Sequence, residues 1–102
     1  MNRRAIGIAL ALAVSASCAH AKDLSARNLA ATCSNCHGTD GRALGDTLKP
    51  LAGMPADRIV TAMAAFKSGA QPATVMHQIA KGFSDEQIGA LAAYFAAQPA
   101  AK

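Results

Sequence analysis

The chain has 102 residues, 52% hydrophobic side chains and a net charge of +4 from ten Lys/Arg and six Asp/Glu. That length allows one small domain. The charge is scattered and only four residues are aromatic. A nucleic-acid surface built on a basic run with interleaved aromatics is therefore excluded.

The chain begins MNRRAIGIALALAVSASCAHAKD. Arg3 and Arg4 make a short positive region, and Ile6 to Ala16 is an apolar run too short to span a bilayer. Ala19-His20-Ala21 is a small-x-small site. Together they predict a secretory signal peptide over 1–21, cut after Ala21, and a mature domain over 22–102. The expected location is the periplasm, with no stable membrane insertion after processing. Removing 21 of 102 residues leaves 81, with eight Lys/Arg, six Asp/Glu and a charge of +2. Cys18 leaves with the signal, so Cys33 and Cys36 remain. So short a chain needs a staple, and a disulfide across two residues closes too small a loop to serve.

Abundant Ala and few β-branched residues predict an all-α mature chain. A first helix is expected from Leu24 to Cys33, capped by Asp23. Ala26, Leu29, Ala30 and Cys33 fall on one face of it. A Gly- and Asp-rich loop follows from Gly38 to Gly53. The second helix is expected to start at Pro55, a residue suited to the first helical position, and to end at Gly69. Ile59, Met63 and Phe66 line its inner face. A short third helix is predicted over Thr74–Lys81, stopped by Gly82. The last starts at SDEQ, where Ser84 and Gln87 form a capping box and Asp85 and Glu86 complement the helix dipole. Its buried stripe is Ile88, Leu91, Ala92 and Phe95, and Pro99 lies beyond its end.

The stretch CSNCHGTDG at 33–41 carries the chemistry. On a helical turn Cys33 and Cys36 project to the same side, with His37 four residues on from Cys33. A structural zinc site normally takes four protein ligands, and here a second pair is absent, with His77 the only other histidine after processing. A thioredoxin-like dithiol belongs in a βαβ setting, which the helical pattern lacks. An inert disulfide leaves the small core unexplained. C-x-x-C-H is the attachment motif of haem c, with two thioethers at the edge of a flat group and an imidazole below it.

An electron-transfer haem takes a sixth ligand, and the candidates are Met54, Met63, Met76 and His77. Met63 shares the inner face of its helix, and Met54 sits at a helix start. Met76, 39 residues beyond His37, has enough chain to reach the opposite face and is favoured over His77. Thioether ligation raises the reduction potential. The free ring N–H of His37 needs an acceptor, and the Pro50 carbonyl is the expected one. Arg42, Lys49 and Arg58 are candidate partners for the propionates.

At these residues the chain resembles the class I cytochromes c. The resemblance rests on CSNCHG, on PLAG, and on AMAAFKSGAQPATVMHQIAKGFSDEQIGALAAYFAAQ, and covers nearly the whole mature chain. Within the family the chain is most similar to the monohaem cytochrome subunits of flavocytochrome c sulfide dehydrogenases. It implies about four helices around one covalent haem c, thioether bonds at Cys33 and Cys36, and axial ligation by His37 and Met76. The Pro50 carbonyl role is implied as well. Met54 and Arg58 stand where the family pattern would have Gln and an aromatic. One C-x-x-C-H excludes a dihaem member.

The implied function is periplasmic one-electron transfer without substrate chemistry, with a sulfide-oxidising FAD flavoprotein subunit as partner. A free cytochrome c serving other redox proteins, such as a terminal oxidase or reductase, is the alternative. A sensor or catalytic haem protein with an open sixth position is a third reading, disfavoured by Met76.

Overall fold

The computed structural model describes residues 24–100, and they are helical with no strand among them. The expected signal peptide and the Asp23 cap lie outside the described residues. We number the helices α1 (24–31), α2 (Ser34–His37), α3 (Ala56–Ser68), α4 (Met76–Lys81) and α5 (Asp85–Ala96), with a 3₁₀ turn at Thr39–Gly41.

The first expected helix ends at Ala31, two residues short of Cys33, and a separate short helix, α2, follows it. At the end of α1 the Thr32 hydroxyl donates to the Leu29 carbonyl at 2.8 Å, and the Thr32 N–H takes the same acceptor at 3.2 Å. This local bonding competes with the regular ladder and tightens the turn. The motif then forms its own turn, with the His37 N–H donating to the Cys33 carbonyl at 2.9 Å.

Two other helices start later than expected. Pro55 has φ −53° but ψ 135°, so it precedes the helix and α3 begins at Ala56. Its carbonyl still accepts from Arg58 and Ile59 at 3.0 and 3.3 Å. Helix α4 begins at Met76, after β-branched Thr74 and Val75, whose χ1 freedom a helix restricts. Gly69 ends α3 in the left-handed region at φ 81°, as its sequence position predicts. The capping box is present: the Gln87 N–H donates to Ser84 Oγ at 3.2 Å, and the Ser84 N–H to Gln87 Oε1 at 2.9 Å.

The core forms where α1, α3 and α5 meet. Ala30, Ile59, Leu91, Ala92 and Phe95 are buried together, with Leu29, Cys33, Leu51, Met54, Met63, Phe83 and Tyr94 packed around them. Ala30 and Ala92 permit close approach of α1 to α5, as their small side chains require. All four residues of the expected α5 stripe are buried. Helix α3 also packs on α4.

The long loop is anchored rather than loose. The buried Gly41 offers its carbonyl to the N–H groups of Leu51 at 2.8 Å and Ala52 at 3.1 Å. The Gly53 N–H donates to the Phe95 carbonyl at 2.9 Å. Gly41 has φ 78°, and a Cβ there would lie 2.8 Å from the Ala52 nitrogen and 2.9 Å from Phe95 Cδ1. Gly45 has φ 72° but open space around it. Gly45→Ala is therefore expected to cost about 1 kcal/mol from backbone strain alone. Gly41→Ala adds a collision with main chain and is expected to cost more than about 2 kcal/mol. Urea midpoints of the two variants test this difference.

Candidate haem-binding site

The site is built on one helical turn. Cys33 precedes α2 with helical angles (φ −83°, ψ −16°) and its carbonyl receives the N–H groups of Cys36 and His37. Three chemically active side chains are thus brought onto a segment of five residues. Gly38, at φ 81°, turns the chain away immediately after His37. A Cβ at Gly38 would collide with the Arg42 carbonyl, so the turn demands glycine.

Both cysteines are free thiols; Cys33 is half-buried and Cys36 exposed. Burial pushes the Cys33 thiol above its ordinary value. A hydrogen bond with Thr32 opposes this, and the nearby Cys36 adds to it. Cys33 Sγ lies 3.9 Å from Thr32 Oγ1.

His37 Nδ1 lies 2.8 Å from the Lys49 carbonyl oxygen. A carbonyl only accepts, so Nδ1 carries the proton, and neutral imidazole then keeps its lone pair on Nε2. This fixes the tautomer that binds a metal. The expected acceptor, Pro50, is corrected by one residue. The Lys49 carbonyl belongs to the amide preceding proline, and proline biases the residue before it toward an extended backbone.

The remaining candidates separate by their packing. Met54 and Met63 pack against the apolar cluster, as does Cys33. Met76 opens α4, is half-buried and is not part of that packing. His77 beside it has a buried Nδ1 with no hydrogen-bond partner among the described residues. Arg58 and Pro50 are exposed. Arg42 Nη1 lies 3.9 Å from Asp40 Oδ2, so its charge is directed to a carboxylate of the chain itself. Sequence reasoning missed Asp40 and Tyr94, whose Oη donates to Asp40 Oδ1 at 2.6 Å across 54 positions. No sequence signal joins residues so far apart.

Among the described residues no three His, Cys, Asp or Glu side chains converge on a point that could hold a metal ion. Two unbridged thiols beside an imidazole with its Nδ1 committed are instead the donor set that haem c takes.

An all-α chain with C-x-x-C-H on an isolated helical turn defines a small c-type cytochrome domain. Residues 21–95 match the family described as cytochrome c oxidase, cbb3-type, subunit III. The "Cytochrome subunit of sulfide dehydrogenase" of Chlorobaculum tepidum is 39% identical over 67 residues, 66% of this chain and 60% of that protein. "Cytochrome c-554(548)" of Halomonas halodenitrificans is 37% identical over 70 residues, 66% of this chain and 84% of that one. "Cytochrome c4" of Pseudomonas aeruginosa is 30% identical over 99 residues, 96% of this chain but 49% of that protein.

The chain belongs to this cytochrome c family, with its all-α class I fold. The relatives it matches are cytochromes, the chain spans 60% of the first of them and about half of cytochrome c4, and haem c is the group the family implies. No helix among the described residues is long and apolar enough to cross a membrane.

The two thiols differ enough to be separated chemically. Before haem attachment, iodoacetamide at about pH 8 is expected to modify Cys36 severalfold faster than Cys33, because thiolate and access control the rate. Raising the pH through and above the ordinary thiol range narrows the gap, as Cys33 ionises later. Peptide mass mapping of the time course measures both rates.

Proposed function

We propose that the mature protein is a periplasmic one-electron carrier with a single haem c attached through Cys33 and Cys36. In this reading His37 and Met76 would hold its iron. The observation that carries this reading is the His37 ring, held at Nδ1 by the Lys49 carbonyl, on the same turn as two free thiols. One C-x-x-C-H in the chain supports one haem. The family match, which begins at residue 21, is consistent with a leader ending at Ala21.

The haem supplies reversible exchange of one electron at iron. The protein supplies the rest. Cys33 and Cys36 tether the group, and the Lys49 carbonyl orients His37 and increases its basicity. Met76 is favoured as distal ligand because Met54 and Met63 are engaged in the apolar packing. Its thioether raises the reduction potential relative to a second imidazole. Arg58, exposed in the first turn of α3, is the proposed propionate contact.

The holoprotein is expected to carry one haem per chain by pyridine haemochrome assay. Its ferric form is expected to show the weak far-red charge-transfer band of sulfur ligation. Met76→Ala removes that band and lowers the potential by a tenth or more of the roughly 0.8 V span that axial ligands command. The same variant gains rapid carbon monoxide binding in the ferrous state. His77→Ala keeps the band. Loss of the band in His77→Ala, with Met76→Ala unchanged, would overturn the ligand assignment.

The proposed donor is a sulfide-oxidising, FAD-containing flavoprotein subunit, supported by the likeness to the Chlorobaculum protein. A free soluble carrier is the second reading, favoured by the match that spans 84% of the Halomonas cytochrome. Affinity-tagged protein recovered from the native periplasm separates them. Stoichiometric flavin co-eluting with haem supports the subunit, and a haem-containing monomer alone supports the free carrier.

A further inference from the structure

We propose that Tyr94 and Asp40 form a positioning pair that locks the haem-binding turn to the last helix and so protects the His37–Lys49 hydrogen bond. The proposal rests on the reading of His37 as an iron ligand.

Asp40 is the one non-glycine residue with positive φ among the described residues, at 55°. A left-handed conformation is unfavourable for a residue with a Cβ and persists where surroundings over-determine it. The surroundings here are explicit. Tyr94 Oη donates to Asp40 Oδ1 at 2.6 Å, the length of a charge-assisted O–H···O⁻ bond. Arg42 Nη1 stands 3.9 Å from the other carboxylate oxygen. The Tyr94 ring meets Phe95 edge-on, with centroids 5.4 Å apart at 79°, so the donor belongs to a packed ring.

The pair lies where it governs the site. Asp40 is in the turn that continues the His37 segment, and the next residue, Gly41, receives the Leu51 and Ala52 N–H groups. Gly53 then bonds the Phe95 carbonyl of α5. The chain from His37 to Gly53, which includes the Lys49 acceptor, is thereby closed into a frame. The Tyr94–Asp40 bond fastens that frame to α5 near its His37 end, as the Gly53–Phe95 bond does at the other. Releasing the first fastening lets the two halves of the frame separate, and the His37–Lys49 bond lies between them. Tyr94 is thus a positioning residue acting through Asp40.

The test uses the covalently loaded holoprotein in the ferrous state and reads solvent exchange of the His37 Nδ1–H by NMR. Tyr94→Phe keeps the ring and removes the donor, and is expected to speed that exchange about tenfold, the loss of one good hydrogen bond. Asp40→Asn keeps an oxygen acceptor and tolerates the left-handed backbone, and is expected to stay within about threefold of wild type. Wild-type exchange in Tyr94→Phe, even with a lowered Tm, assigns the bond a structural role only and overturns the proposal. Loss of protection in Asp40→Asn as large as in Tyr94→Phe overturns it too. A wild-type chain that matures without covalent haem overturns the iron-ligand reading and this inference together. Haem attachment with unchanged exchange overturns the inference alone.

Discussion

The hydrogen bond from His37 Nδ1 to the Lys49 carbonyl is the constraint on which the site depends. It joins a helical turn to a loop twelve positions away and decides which imidazole nitrogen bears the lone pair. A histidine without it would rotate and change tautomer, and its metal affinity would fall. The surrounding main chain is arranged to keep the acceptor in place. Glycines at 38 and 41 turn the chain where side chains would collide, and Gly41 collects two N–H groups from the returning loop.

The core around this site is slight. Among the described residues nine apolar side chains are buried, five of them alanines, and no large side chain is fully buried. An alanine methyl removes little apolar area from water, so the contribution per residue is small. What alanine does provide is closeness. Ala30 and Ala92 let α1 and α5 pack near each other, and Cys33 packs against the same cluster. Larger apolar side chains, such as Leu51, Met54, Met63 and Phe83, stay half-buried at the edge of this cluster. A small domain with such a core is short of buried area, and the haem proposed above would supply a large apolar surface where the chain has little.

Charge contributes to position more than to stability. Lys67 and Asp85 pair at 3.1 Å, but the Asp85 side chain is 98% exposed and water screens the attraction. Asp40 differs because it is partly covered and engages a hydroxyl from another helix. A short hydrogen bond in such surroundings fixes the geometry of the turn that follows His37.

Features governed by local physics were legible in the sequence. The spacing of C-x-x-C-H follows from helical geometry, and the Ser84–Gln87 box and Gly69 stop are read from a few neighbouring residues. The buried stripe of α5 follows from its period. The break at Thr32 and the late starts of α3 and α4 depended on hydrogen bonds and backbone angles that composition leaves open. The acceptor for His37 was misplaced by one residue, because Lys49 and Pro50 both offer carbonyls and only the loop's path selects between them. Tyr94 and Asp40 were not legible at all. Their contact exists because α5 packs back against the turn at Thr39–Gly41, and residue types 54 positions apart carry no local record of that return. The sequence by itself determined the chemical groups and the helical periods, which are local. The tertiary structure decided which carbonyl, carboxylate and hydroxyl those groups meet, because only packing brings distant segments to hydrogen-bonding distance.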